Sequence, residues 1–348
     1  MAMLLAGCGN PSAPTASVTT TPTATSPSPT SSSSRKPVLG GLLDRNGAPP
    51  AAYVTSLGGF VVNVHWTDVQ PSAGDPLTTN NAIDQAITTV RALNAQYHVD
   101  LGLKVRVFAG IWAPNWAKDL GGSPITLINP QNSAEGTIGR FWNAQFGAAY
   151  DHFEALLAAK YDDVAEIREV TIARCSTFYD EPFIRDTGYT PNVTALLAAG
   201  YTLAADETCQ REEIQASRVW HHTRSDLAFN PYEAIDADGS TRTDPLFTVS
   251  MMQDCRQVLA SACVLENNSL RTPVQPGYVS MYSSMTSLGQ PISFQTATAA
   301  RVGDLTATLN NAITLGANSV ELPGGYESLG TPASFASTTR ALADHFAA

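Results

Sequence analysis

The feature of this sequence that most limits its fold is the alternation of short apolar, β-branched runs with longer helical patterns. Eight strand-like runs occur at 37–43, 59–66, 104–111, 169–176, 226–232, 263–270, 291–296 and 318–323. Helical patterns lie between them, most clearly at 81–97, 143–161, 209–224 and 302–316, and a last one precedes the C-terminus. Such alternation is typical of βαβ units that build a parallel sheet.

The number of units separates two kinds of parallel-sheet fold. An open doubly wound sheet would carry a Gly-rich phosphate turn after its first strand, and none follows "PVLGGLL". Eight strand–helix units within residues 37–348 instead predict one α/β domain, a (β/α)8 TIM barrel.

The N-terminal segment carries a possible export signal. Leu5-Ala6-Gly7-Cys8 resembles the bacterial lipoprotein processing box, which implies that residues 1–8 are a truncated signal and that Cys8 is acylated. Residues 9–36 are mostly Ser, Thr, Pro and Ala, a composition typical of a disordered linker. We therefore expect an exported protein, anchored by lipid to the outer face of a bacterial membrane and touching the membrane only there.

Charge and motif content exclude several functions. The net charge is −11 and only 15% of residues are charged, without a Lys/Arg cluster, which argues against nucleic acid as a partner. No Cys-x-x-Cys or His-Glu-x-x-His spacing occurs, so the sequence predicts neither a metal nor a cofactor site.

Four cysteines remain once Cys8 is set aside. An even number in an exported protein indicates disulfides, for which three pairings exist. We favour the near neighbours Cys255 and Cys263, which leaves Cys175 with Cys209. Buried free thiols are the alternative.

In a TIM barrel the chemistry lies at the C-terminal ends of the strands, where polar alternate residues face the lumen. This rule predicts a set of lumen-facing or rim residues: Asn63, His65, Arg106, Trp112, Asn230, Tyr232, Glu266, Asn268, Gln295 and Glu321.

Several segments resemble clan A glycoside hydrolases. They are "VNVHWTDVQPSAGDP" (62–76), which includes Asp68, then "VRVFAGIWAPNW", then "DEP" where that clan has Asn-Glu-Pro after strand four, and finally "SVELPGGY". The resemblance implies that Glu181 is the general acid, with Asp180 raising its pKa by like-charge proximity.

The second carboxylate of such an enzyme is missing from its usual place. The clan carries it at the end of strand seven, where this chain has Gln295. Glu321 on strand eight is the best replacement and Glu266 the next, although Glu266 could instead form a salt bridge to Arg106 or Arg271. Glu181 could likewise be a helix-start carboxylate before Pro182. If both act, Glu181 and Glu321 should point into one cleft with room for a water.

Aromatic residues at strand ends indicate the ligand class, because flat rings stack on sugars while Asn, His and Gln bind hydroxyls. Six lie at or just after strand ends: Trp66, Trp112, Trp116, Tyr179, Tyr232 and Tyr326. Rim packing is the alternative for each.

The sequence thus predicts a monomeric, surface-anchored glycoside hydrolase with a carbohydrate substrate. The main alternative is a barrel that binds glycans without cleaving them. A weaker one is a scaffold or adhesin that uses the outer helices.

Overall fold

The computed structural model describes residues 35–345 except 172 and 180. Cys8 and most of the predicted linker lie outside the described residues, as does Asp180. Eight strands form a closed barrel in which all neighbours are parallel and follow chain order around the ring. They are β1 (Gly41–Asp44), β2 (Gly59–His65), β3 (Gly102–Phe108), β4 (Ile167–Thr171), β5 (Arg224–Ala228), β6 (Cys263–Leu270), β7 (Ile292–Thr296) and β8 (Ser319–Leu322). The predicted TIM barrel is confirmed.

Within the described residues, eight helices of two or more turns connect or follow the strands. They are α1 (Ala82–Tyr97), α2 (Ala144–Tyr161), α3 (Thr190–Ala198), α4 (Leu203–Ala216), α5 (Pro245–Leu259), α6 (Pro276–Leu288), α7 (Leu305–Thr314) and α8 (Pro332–Asp344). Single helical turns occur at Trp66–Val69 and Asn115–Lys118, and 3₁₀ turns at Val54–Ser56, Gly110–Trp112, Ser217–Val219, Ala260–Ala262 and Tyr326–Ser328. Two antiparallel hairpins are inserted after β3 (Ile125–Ile128 with Glu135–Ile138) and after β5 (Tyr232–Ile235 with Thr241–Asp244).

Alternation along each strand divides its side chains between helix layer and lumen. On β3, the apolar residues Leu103, Val105 and Val107 belong to the buried core, whereas Lys104 and Arg106 point into the lumen and contact carboxylates there. Strands buried on both faces explain the long β-branched runs in the sequence.

Local capping sets several element boundaries. Asn81 accepts hydrogen bonds from the backbone N–H groups of Ile83 and Asp84, so α1 begins where predicted. Thr202 caps α4 in the same way, so this helix begins six residues before the predicted start. It ends at Ala216 rather than at the predicted 224.

Other predicted boundaries are wrong at the strand ends. The first strand begins at Gly41 rather than 37, the third ends at Phe108, and the fourth ends at Thr171, so 173–176 belong to a loop. The fifth ends at Ala228, and Pro231, which has no N–H to donate, lies beyond its end. Arg35 and Lys36, expected in the linker, contact the barrel: Lys36 Nζ donates to the Ile167 carbonyl at 2.8 Å.

Both predicted disulfides are present. Cys175 joins Cys209 with a Cα–Cα distance of 6.1 Å, and Cys255 joins Cys263 at 5.8 Å. The first bond ties the loop after β4 to α4. Among residues 35–345, apart from 172 and 180, no helix is both long and apolar enough to cross a membrane.

Candidate functional site at the barrel mouth

A buried lysine organises the centre of the barrel. Lys104 Nζ forms salt bridges with Asp226 on β5, Glu266 on β6 and Glu321 on β8, and all four side chains are fully buried. Its pKa lies well above the ordinary value, because the three carboxylates outweigh the desolvation that would lower it. The ammonium thus stands where several inward-facing carboxylates converge.

Both carboxylate oxygens of Glu321 are engaged. Oε1 accepts from Arg106 Nη2 and lies 2.9 Å from Lys104 Nζ, while Oε2 accepts from Gln295 Nε2 at 3.0 Å. Arg45 Nε lies 4.0 Å from Oε2. Burial opposes ionisation, but Arg106, Lys104 and Arg45 hold the pKa of Glu321 below its ordinary value, so this carboxylate is ionised.

The expectation that Glu321 stands open in a cleft is therefore wrong, since its side chain has no exposed surface. Glu266 is equally buried, and its salt-bridge partner is Lys104 rather than Arg106 or Arg271. Burial and the neighbouring Asp226 raise the pKa of Glu266 well above its usual range. Arg106, which the sequence predicted to contact substrate, has a side chain that is 3% exposed and bonded to Glu321.

Glu181 lies at the mouth, above this network. Its side chain is half-buried, and Oε1 accepts from Asn230 Nδ2 at 3.2 Å. Asn230 follows β5, and its Oδ1 accepts from Asn267 Nδ2 at 3.0 Å. No helix begins at Pro182, since α3 starts only at Thr190, so Glu181 is not a helix-start carboxylate.

Asn268 presents an unsatisfied amide next to this chain of hydrogen bonds. A register shift interrupts the pairing of β6 with β7 between Asn267 and Leu270. Asn267 is bonded on the helix side to Tyr282, and alternation turns Asn268 the other way, toward the lumen. Asn268 is 8% exposed, and neither amide atom has a hydrogen-bond partner in the described part of the chain. A buried amide of this kind is costly unless something binds it.

An aromatic platform lies at the end of β2 and β3. The rings of His65 and Trp112 stack with centroids 3.9 Å apart and planes 5° from parallel. Trp112 is 38% exposed, and His65 is held by Asp68 Oδ2 at 3.2 Å. Asn63 is exposed beside them and accepts a long 3.5 Å hydrogen bond from Arg106 Nη1.

The loop that carries the platform is fixed to the loop that carries Glu181. Ile111 N donates to the Thr177 carbonyl at 2.9 Å. Gly110 makes this approach possible, because its φ is +37° and a Cβ there would lie 1.9 Å from the Thr177 oxygen.

Three of the six predicted sugar-stacking aromatics are core residues instead. Trp66 is fully buried between α2 and Trp116, Tyr232 donates to Asp206 at 2.7 Å, and Tyr326 donates to Asp44 at 2.9 Å. The prediction that they stack on a ligand is wrong, because the chain turns inward after each strand and packs them against neighbouring helices and loops.

Two further aromatics are partly buried. Trp116 packs edge-on against Trp66, and its indole N–H donates to the Gln70 carbonyl at 3.4 Å. Tyr179 donates to Asp186 at 3.3 Å and accepts from Asn129. Burial and Asp186 raise the pKa of Tyr179 to about 12. Trp112 is the platform ring left with a large exposed face.

Three further side chains lie in the lumen that the sequence patterns did not predict there, namely Lys104, Glu169 and Asp226. Each lies two positions before a residue on the same face of its strand: Lys104 before Arg106, Glu169 before Thr171 and Asp226 before Ala228. The alternation rule applied to the whole strand would therefore have found them. Burial raises the pKa of Glu169 to about 7. Within the described ranges, no group of three or more His, Cys, Asp or Glu side chains has the geometry to hold a metal ion.

Comparison with known proteins supports the fold. No family model matches the chain, and no curated protein sequence matches it. The catalytic domain of β-amylase from Paenibacillus polymyxa aligns over 87% of this chain and 99% of its own, with a TM-score of 0.52 and 10% identity.

Two other solved structures align less well. Morphinone reductase in complex with tetrahydroNAD covers 88% of this chain and 92% of its own (TM-score 0.44, 13% identity). A mannotriose complex of Thermomonospora fusca β-mannanase covers 84% and 82% (TM-score 0.40, 14% identity). Sequence identities this low show only the barrel fold, and that conclusion rests on the alignment with the β-amylase domain.

Proposed function

We propose that this chain is a carbohydrate-binding barrel whose ligand lies across the mouth, between the Trp112–His65 platform and the Glu181–Asn230 pair. One observation carries the proposal: the carboxylate that hydrolysis would require, Glu321, has both oxygens engaged and no exposed surface, whereas the Trp112 ring at the mouth is 38% exposed. A glycosidase needs two carboxyl groups at the scissile bond.

The polar groups at the mouth suit a neutral sugar. Asn63, Gln295 and Asn268 offer amides, and an amide can both donate to and accept from a hydroxyl. The unsatisfied amide of Asn268 would gain most from a bound hydroxyl, because it is already desolvated. Trp112 supplies the flat apolar face on which a sugar ring stacks.

The test combines binding with turnover. We expect calorimetry with neutral gluco-, manno- and xylo-oligosaccharides to detect binding, and a panel of aryl glycosides and polysaccharides to release no product. Glu181→Gln should keep its hydrogen bond from Asn230 and bind with similar affinity. Glu135→Gln, at an exposed hairpin position, is the matched control. If neither the wild type nor Glu181→Gln binds any of the oligosaccharides, the proposal is overturned.

Hydrolysis is the second candidate, and one observation favours it. Arg106 and Lys104 keep Glu321 ionised, which is the state that a nucleophile or base requires. Gln295 would have to swing away from Oε2 to admit a substrate. If aryl glycosides are cleaved, and if both Glu181→Gln and Glu321→Gln abolish cleavage while Glu135→Gln does not, the hydrolase assignment wins.

The location of the protein is part of the proposal. Leu5-Ala6-Gly7-Cys8 supports an acylated Cys8 that holds the barrel at the outer face of the membrane. The two disulfides are compatible with export. We expect Cys8→Ser to release the protein from membranes, and unchanged membrane association of that variant would contradict the anchor.

A further inference from the structure

A cavity lies beside the proposed sugar site. It has a volume of about 460 Å³ and is formed by the loop after Glu181, the hairpin after β5 and the first turns of α5 and α6. Its volume lies within the range of small-molecule sites, about 300–1,000 Å³. Its wall includes Arg185, Pro231, Glu233 and Met281.

This cavity shares a backbone segment with the Glu181–Asn230 pair. Asn230 donates to Glu181, and the next residue, Pro231, lines the cavity and accepts from Arg185 Nη1 at 3.0 Å. Thr248, also in the wall, donates to the Asn230 carbonyl at 3.3 Å. A ligand that extends past Glu181 over Pro231 would therefore enter the cavity.

The wall chemistry suits one kind of ligand. Arg185 Nη1 lies 3.2 Å from Glu233 Oε1, and Thr187 donates to the other Glu233 oxygen through both its N–H and its hydroxyl. Both side chains are 21% exposed, so they are fixed and reachable. The Arg185 guanidinium can donate to one sugar hydroxyl while the Glu233 carboxylate beside it accepts from the neighbouring hydroxyl. The two opposite charges offset each other, so the pair does not favour a charged ligand.

We infer that this cavity is a second sugar subsite, which holds a further unit of a neutral oligosaccharide through paired hydroxyl contacts with Arg185 and Glu233. The inference rests on the proposed function, because it assumes a glycan at the mouth. Pro231, Pro245 and Met281 provide the apolar part of the wall. The consequence is a ligand of more than one unit, bound more tightly as the chain lengthens.

A blocking variant tests the subsite without breaking the Arg185–Glu233 pair. Ser280 lines the cavity from the exposed side of α6, so Ser280→Trp fills it. Val279→Trp, at the neighbouring position, which is 54% exposed and outside the cavity wall, is the matched control. Affinity is measured calorimetrically with gluco-, manno- and xylo-oligosaccharide series from disaccharide to hexasaccharide.

We expect the wild type and Val279→Trp to gain affinity with chain length, and Ser280→Trp to lose roughly tenfold on the longest member, a free-energy difference of about 1.4 kcal/mol. Its affinity for the disaccharide should not change. Glu233→Gln should show a smaller increase in affinity with chain length than the wild type. The subsite is overturned if the wild type binds the disaccharide as tightly as the hexasaccharide. It is also overturned if the affinity of Ser280→Trp increases with chain length as much as that of the wild type. Both outcomes leave the mouth site intact. Binding of no oligosaccharide at any length overturns the proposed function as well.

Discussion

Lys104 on β3 and Glu321 on β8 meet inside the barrel, with Nζ 2.9 Å from Oε1 and both side chains fully buried. Two strands, β1 and β2, separate them around the ring. The pair shows that the lumen holds buried charged side chains, each close to one of opposite sign, beneath a polar mouth. Ion pairs at this depth are sensitive to the loss of one partner, because the remaining charge is left desolvated.

Lys104→Met should therefore lower the free energy of unfolding by about 3–5 kcal/mol. Three buried acidic side chains lose their shared cation, and none is exposed to water. Urea denaturation measures the loss. Lys160→Met, which removes a partly exposed pair with Asp84, is the control and should cost at most about 1 kcal/mol.

A double variant keeps this prediction testable if Lys104→Met folds poorly. Adding Asp226→Asn removes one of the stranded charges, so part of the lost stability should return. Equal costs for Lys104→Met and Lys160→Met would contradict the account of the lumen.

Stability should fall as the pH rises from about 4.5 to about 8. Burial raises the pKa of Glu154 from 4.5 to about 8 against the opposing hydrogen bond from Trp220, and burial likewise raises that of Glu213 to about 8. The folded protein keeps these protons while the unfolded chain releases them near pH 4.5. The contribution of these two glutamates to the free energy of unfolding is complete below pH 4.5. It is lost as the pH rises through their pKa values in the folded protein, which are about 8.

Glu154→Gln isolates one of these groups. The amide oxygen can still accept from Trp220 Nε1, now 3.1 Å away, but no proton is released. Denaturation at several pH values should show a flatter decline in this variant. Glu166→Gln is the control, because Arg91 lowers the pKa of Glu166 and this group is already ionised throughout the window. An unchanged slope in Glu154→Gln would sink the assignment.

Trp112→Ala should weaken oligosaccharide binding by about five- to tenfold, since truncation of a central aromatic contact typically costs more than 1 kcal/mol. Its exposed face makes few core contacts, so the unfolding midpoint should barely move. Calorimetric titration provides the measurement. Tyr97→Ala, at the end of α1 and so at the opposite end of the barrel, should bind normally. Full affinity in Trp112→Ala would remove the platform from the site.

The two disulfides should differ in their contributions to stability. Cys175–Cys209 encloses a sequence separation of 34 and Cys255–Cys263 one of 8. Loop-closure entropy then predicts a loss of about 3–4 kcal/mol when the first pair is replaced by serine and about 2–3 kcal/mol for the second. Denaturation of the two double-serine variants tests the order, and a larger loss for the shorter loop would contradict it.

Alkylation of the denatured, non-reduced protein should label none of the four cysteines.

The sequence alone determined the architecture. Strand and helix periods are local properties of the chain, and eight alternating units leave few packings besides the closed barrel. The same alternation placed Arg106, Glu266 and Glu321 inside the lumen, and the number of cysteines with their spacing indicated both disulfides.

Only the tertiary structure decided what those residues do. Whether Glu321 faces a substrate or a cation depends on Lys104 and Arg106, which lie more than 200 positions earlier and reach it because the ring closes. Whether a strand-end ring such as Trp66 or Trp112 is open to solvent depends on how the following loop turns and which helix covers it. Local patterns carry neither kind of information, because both are set by contacts between segments far apart in the chain.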